Sequence, residues 1–115
     1  MAVISFTRTS QEDRRVLVTW ETVTDSDTCE GFPLPAEPEV SVMFTGDFAG
    51  GAIALEGSMD DTTDVALTDT TGTAIAPTAD AVLLVGPHTL YIRPATPDGA
   101  GADIDVSLLV VAKGR

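Results

Sequence analysis

Two acid clusters are the first candidates for chemistry in this chain. Asp25, Asp27 and Glu30 fall within "DSDTCEG", and Asp60, Asp61 and Asp64 within "MDDTTDV". Carboxylates so spaced could offer oxygen ligands to calcium. Neither cluster has the twelve-residue loop with glycine at its sixth position and a closing glutamate. Acidic turns also hydrogen-bond their own backbone, which needs no ion. Zinc would want nitrogen and sulfur donors, and the chain has one cysteine, Cys29, and one histidine, His88. Paired carboxylates could run a glycosidase. With 18 acids, mostly in turns and on solvent faces, some pair falls at any required distance by chance. A Ser–His–acid triad would have to use His88, which follows "VGP", and no G-x-S-x-G elbow is present. The glycines of "AGG" are followed by no lysine and no helix, so they form no phosphate loop. The expectation is a protein that is not an enzyme, with no cofactor and no metal.

Charge narrows the partners. The formal net charge is −12, and thirteen acids lie between Val16 and Ile92 with no Lys or Arg among them. Such a surface repels a phosphate backbone and an anionic bilayer, so no nucleic acid and no membrane are expected as partners. The six bases sit near the ends or at Arg93: Arg8, Arg14, Arg15, Arg93, Lys113 and Arg115. Aromatic residues are few, one Trp, one Tyr and four Phe, too thin a set for a stacking platform. Cys29 alone makes no intrachain disulfide and reads as a small buried residue. The N-terminal stretch lacks the layout of a signal peptide, and no apolar run reaches the ~18 residues of a membrane span. A cytoplasmic site of synthesis and assembly is the expectation.

The elements that position these residues are strands. No apolar stripe of helical period lasts three turns, and 7 prolines with 10 glycines interrupt the candidates. Period-two runs place Val16, Val18 and Trp20 on one face, then Val40, Val42 and Phe44, then Ile53 and Leu55, and finally Ile104, Val106, Leu108 and Val110. "DVALTD" and "TAIAP" read as short strands joined by "DTTG". "AVLLV" reads as a strand covered on both faces. "HTLYIRP" sets Leu90 and Ile92 opposite Tyr91 and Arg93. "GDFAGG" reads as a tight hairpin in which Gly50 and Gly51 permit positive φ. Residues 24–38, rich in proline and acid, read as a long loop, and residues 1–15 as a candidate arm. The expected fold is a single all-β domain over residues 1–115, an antiparallel β-sandwich or jelly-roll-like barrel of eight or nine strands. Candidate partner contacts are Arg8, Arg14 and Arg15 near the N-terminus, Phe32, Phe48 at the turn, and Tyr91 with Arg93, since Tyr and Arg are favoured anchors.

One longer pattern joins these pieces. "VSVMFTGDFAGGAIALEGSMDD", then "VALTDTTGTAI", then "LYIRPATPDGAGADIDVSLLVVAK" resembles a recurrent family of small tailed-bacteriophage virion proteins. Its members show a "G-x-F-G-G" turn, a strand ending in "x-G-S-x-D", an "L-x-D-x-x-G" turn, a late "I-R-P" and a closing alternating strand. Here Ala49 adds a small residue before the two glycines of the turn, and Gly57-Ser58, Asp69, Gly72 and Ile92-Arg93-Pro94 match the rest. The similarity runs over residues 38–113, and the family has no catalytic residues to carry over. The resemblance implies a virion structural protein of the capsid decoration or cement type. Its implied partner is the major capsid protein, and possible self-contacts at two-fold or three-fold positions come with it. A head–tail connector or fibre-associated role, and a carbohydrate-binding module with Tyr91, Phe32 and Phe48 as its aromatic face, are the alternatives.

Overall fold

Three ten-residue strands whose alternation is the most regular in the chain form the centre of the larger sheet. They are β3 (Arg15–Thr24), β6 (Pro38–Asp47) and β11 (Asp103–Ala112). In a computed structural model describing residues 2–10, 15–34, 38–86 and 89–112, β11 lies between the other two and is antiparallel to both. β2 (Thr7–Ser10) closes one side of this five-stranded sheet and β9 (Ala81–Leu84) the other. A second sheet of four strands has the order β5 (Phe32–Pro33), β10 (Tyr91–Pro94), β7 (Leu55–Ser58), β8 (Val65–Ala66). β1 (Ala2–Ile4) pairs in parallel with β4 (Asp27–Cys29) as a separate ribbon.

The two sheets share one core, as a sandwich requires. Trp20, Val42, Phe44, Ile104, Val106 and Leu108 from the larger sheet meet Leu55 and Ile92 from the smaller one, all essentially inaccessible to water. The inward sets expected on β3, β6 and β11 are therefore the observed ones, with Val16 only half-buried near the start of β3. Trp20 also donates its indole N–H to the Glu30 carbonyl at 2.8 Å, so the largest core side chain ties down the segment after β4.

One irregularity interrupts the long pairing. Between Ile104↔Val23 and Val106↔Trp20, both Glu21 and Thr22 oppose Asp105. Thr22 takes φ 58°, and Asp105 Oδ1 accepts its N–H at 2.8 Å, which satisfies the donor that the bulge frees.

Several expectations are corrected. The all-β sandwich stands, but among the described residues eleven strands replace eight or nine, because the extra ones are two to four residues long and too short to show a period. "GDFAGG" is no hairpin: β6 and β7 lie in different sheets, so the turn carries the chain across the sandwich. Ala49 (φ 52°) and Gly50 (φ 78°) make its reversal, with Gly51 N–H donating to the Phe48 carbonyl at 2.9 Å. Gly51 itself is not left-handed; a Cβ there would run into Asp98 and the Gly99 backbone. "AVLLV" is an edge strand with Val82 68% and Leu84 41% exposed, so it is covered on one face only. Leu90 is exposed and does not share the buried side of Ile92. Residues 2–10 are no free arm but carry two paired strands, and the stretch 24–38 contains β4 and β5 rather than being a loop throughout. Residues 11–14 and 35–37 lie outside the described residues.

Candidate functional site

Tyr91 and Arg93 do share the outward side of the smaller sheet, because β10 alternates with Ile92 and Pro94 buried. Arg93 sits directly opposite Glu56 in the β10–β7 register, pairs with Asp64, and donates from Nη1 to the Cys29 carbonyl at 3.2 Å. Tyr91 is half-buried between Ser58 and Pro33 of the flanking strands. The guanidinium therefore knits β10 to β4 and to the segment before β8. Burial, and after it the Asp64 charge, raise the Glu56 carboxyl above its ordinary value, and Arg93 opposes both. Burial, then Asp27, pushes the Cys29 thiol up to about 12, with Arg93 acting weakly the other way. A thiol so protonated at neutral pH is a poor nucleophile.

The other anchors separate. Phe32 (3% exposed) and Phe48 (6%) belong to the core, so neither offers a ring to a partner or a sugar. Phe48 tucks under the crossing turn, since Asp47 Oδ1 accepts the Ala49 N–H and the reversal points the ring inward. Phe6 meets Trp20 and Phe32 edge-on, with centroids 6.0 and 5.2 Å away. Arg8 is exposed on β2 and lays its guanidinium over the Phe32 ring, 5.9 Å from the centroid. Arg15 is exposed at the start of β3, opposite Val111. Arg14 and His88 lie outside the described residues.

The acid clusters serve their own loops. Asp27 accepts the N–H and hydroxyl of Thr24 at 3.0 and 2.8 Å. Asp60 accepts the N–H groups of Thr62 and Thr63, which hold its carboxyl well below the usual range. Asp69 does the same for Thr71 and Thr73, its hydroxyl bond to Thr71 being the first cause of its lowered value. Among the described residues no group of three or more His, Cys, Asp or Glu is gathered for a metal.

A different surface was not singled out by residue type. The outward side of the larger sheet carries Leu17, Met43, Val82, Leu84 and Leu109, and all of these but Leu84 line a groove of about 320 Å³. Its middle holds no charged residue, and Thr19 and Ser107 share a hydroxyl contact of 3.3 Å there. A signal was present: "VLV", "VMF" and "LLV" each put an apolar residue at the outward position of an alternating strand. No helix of the described residues is long and apolar enough to cross a membrane. No family model, no curated protein and no solved structure matches this chain.

Proposed function

We propose that this protein is a non-enzymatic virion structural component, a capsid decoration protein that binds the outside of a major-capsid-protein shell and stabilises it. The observation that carries the reading is the ordered series of motifs over residues 38–113 resembling small tailed-phage virion proteins. The geometry gives the series a physical reason. The "G-S" strand and the "I-R-P" strand are adjacent: Ile92 pairs with Gly57, Arg93 with Glu56 and Pro94 with Leu55. A Cβ on Gly57 would strike Thr89 and Leu67, and one on Gly46 would strike the Asp103 backbone. The motif residues thus specify how the sandwich closes, which suits a family held together by its body rather than by a reaction.

A decoration protein gains its effect from many copies, so modest affinity per copy stiffens a shell. The carbohydrate reading loses support, because two of its three rings, Phe32 and Phe48, are in the core. Imaging of particles from cultures carrying an epitope-tagged copy tests the proposal. Label spread over the whole shell is the expected result; label at a single vertex means a connector or fibre component, and unlabelled particles would sink the virion reading.

A further inference from the structure

The outward face of the larger sheet has a pattern with its own symmetry. On each of its three long strands a bulky apolar residue stands two positions from a small hydroxyl: Leu17 and Thr19, Leu109 and Ser107, Met43 and Ser41. On β9 the same two rows end in Leu84 and Val82. A two-fold axis running across the strands, at the level of Val18, Leu108 and Val42, exchanges the two rows. Leu17 then lies over Thr19 of a second copy, Leu109 over Ser107, and Met43 over Ser41, so bulk meets gap on the three long strands, while on β9 Leu84 lies over Val82. The same operation brings Arg15, at the start of β3, over Glu21 near its end, and it leaves Asp105 over Val111 and Glu39 over Thr45 at the rim.

We infer that this face is the contact between two copies of the chain, packed sheet on sheet with their strands reversed. An unrelated partner would give no reason for size and charge to be complementary under exchange, whereas an isologous interface demands it. The two middle rows hold no charge, and Arg15, Glu21, Glu39 and Asp105 fall in the outer rows at the rim, so two chains of net charge −12 can meet here with their carboxylates left at the edge. Five strands spaced ~4.8 Å apart, with four outward rows, make a face of about 24 by 20 Å. Covering it on both copies removes about 1,000 Å², the lower limit for a specific interface. Sheet twist sets the two strand directions about 30° apart. The inference is independent of the virion proposal.

Sedimentation of the full chain over a wide concentration range tests it, with the expected result a reversible monomer–dimer equilibrium. Leu109→Asp should weaken dimerisation at least about 100-fold with the melting behaviour kept, because it places a carboxylate against Ser107 of the other copy. Arg15→Glu should weaken it about fivefold, and Arg15→Glu combined with Glu21→Arg should restore it. A chain that stays monomeric throughout overturns the inference. So does a dimer indifferent to Leu109→Asp, or a charge swap without recovery, which decides alone if Leu109→Asp fails to fold. A monomer whose Leu109→Asp variant loses attachment to a shell would assign the face to another protein, and that too overturns it.

Discussion

The two outward faces of this sandwich are built on similar inward patterns and share one core, yet they treat solvent in opposite ways. On the smaller sheet Arg93 pairs with Asp64 and bonds the Cys29 carbonyl, opposite Glu56, and Tyr91 is half-buried between the flanking strands. On the larger sheet Met43, Val82, Leu84 and Leu109 stand open beside a half-buried Leu17, with hydroxyls between them. The lesson is that Arg93, the charged residue of the smaller sheet that looked like a contact anchor, is spent inside the fold, while the middle of the larger sheet's outward face is uncharged. Arg93 holds four segments of its own chain together and has little left to offer another.

Removing what the faces have in common should give the largest effect. Trp20→Ala opens a cavity beneath both sheets and orphans the Glu30 carbonyl, which should cost about 4 kcal/mol in denaturant unfolding. A domain of this size is usually stable by only about 5–15 kcal/mol, so that variant should be largely unfolded on mild heating. Gly46→Ala comes next. Gly46 has φ 132° where β6 leaves its sheet, and its Cβ would meet the Asp103 carbonyl and the Ile104 backbone. About 2–3 kcal/mol should be lost, with both faces disturbed because β6 and β11 must part.

The next changes separate the faces. Arg93→Met leaves the Asp64 and Glu56 carboxylates and the Cys29 carbonyl without their cation, at a cost of about 1–2 kcal/mol. The larger sheet should keep its association behaviour in that variant; a change there would mean that the faces are coupled. A pH series sharpens the same point. The Glu56 value is raised, so the native chain holds this proton to higher pH than the unfolded chain. Its contribution to stability is therefore complete below the ordinary 4.5 and is lost as pH climbs above it. Melting temperature against pH should fall less over that window in Glu56→Gln, and more steeply in Arg93→Met. Asp60 and Asp69 act with the opposite sign: their stabilisation is present above the ordinary 3.8 and is lost as pH falls below it. Asp60→Ala should flatten the acid limb of the same curve. The smallest effect should be on the open face, where Leu109→Thr changes unfolding of the monomer by no more than about 0.5 kcal/mol. A large loss there would show that the face supports the monomer.

How much of this was legible follows from how far each signal reaches along the chain. β3, β6 and β11 were readable because ten residues of alternation fix which side is buried. Sheet membership was not. "GDFAGG" has the glycines of a hairpin, but whether β6 turns back on itself or crosses to β7 depends on Gly51 meeting Gly99, nearly fifty positions away. "AVLLV" was misread because an apolar run looks the same on an edge strand beside an apolar face as in a covered centre. β4 and β5 escaped notice because they are three and two residues long, too short to show a period, and are held by pairing to β1 and β10, distant in the chain. Of the candidate contacts, Tyr91 and Arg93 were placed on the correct side of β10. Phe32 stood among the candidate contacts because a short segment between a glycine and a proline looks exposed, and for Phe48 the sequence left both a tuck under the sandwich and a partner contact open, of which the tuck is observed.

The position of β11 has a consequence for how the molecule is made. It joins β3 to β6, neither of which pairs with the other, and it is synthesised after both. Until the ribosome has released that segment, the two earlier strands each present a bare row of backbone groups and an unshielded apolar side. Assembly of the larger sheet is therefore a late event, dominated by contacts between distant positions, and slow on the scale of small domains. For that interval the twelve surplus negative charges would be the nascent chain's defence against sticking to its siblings.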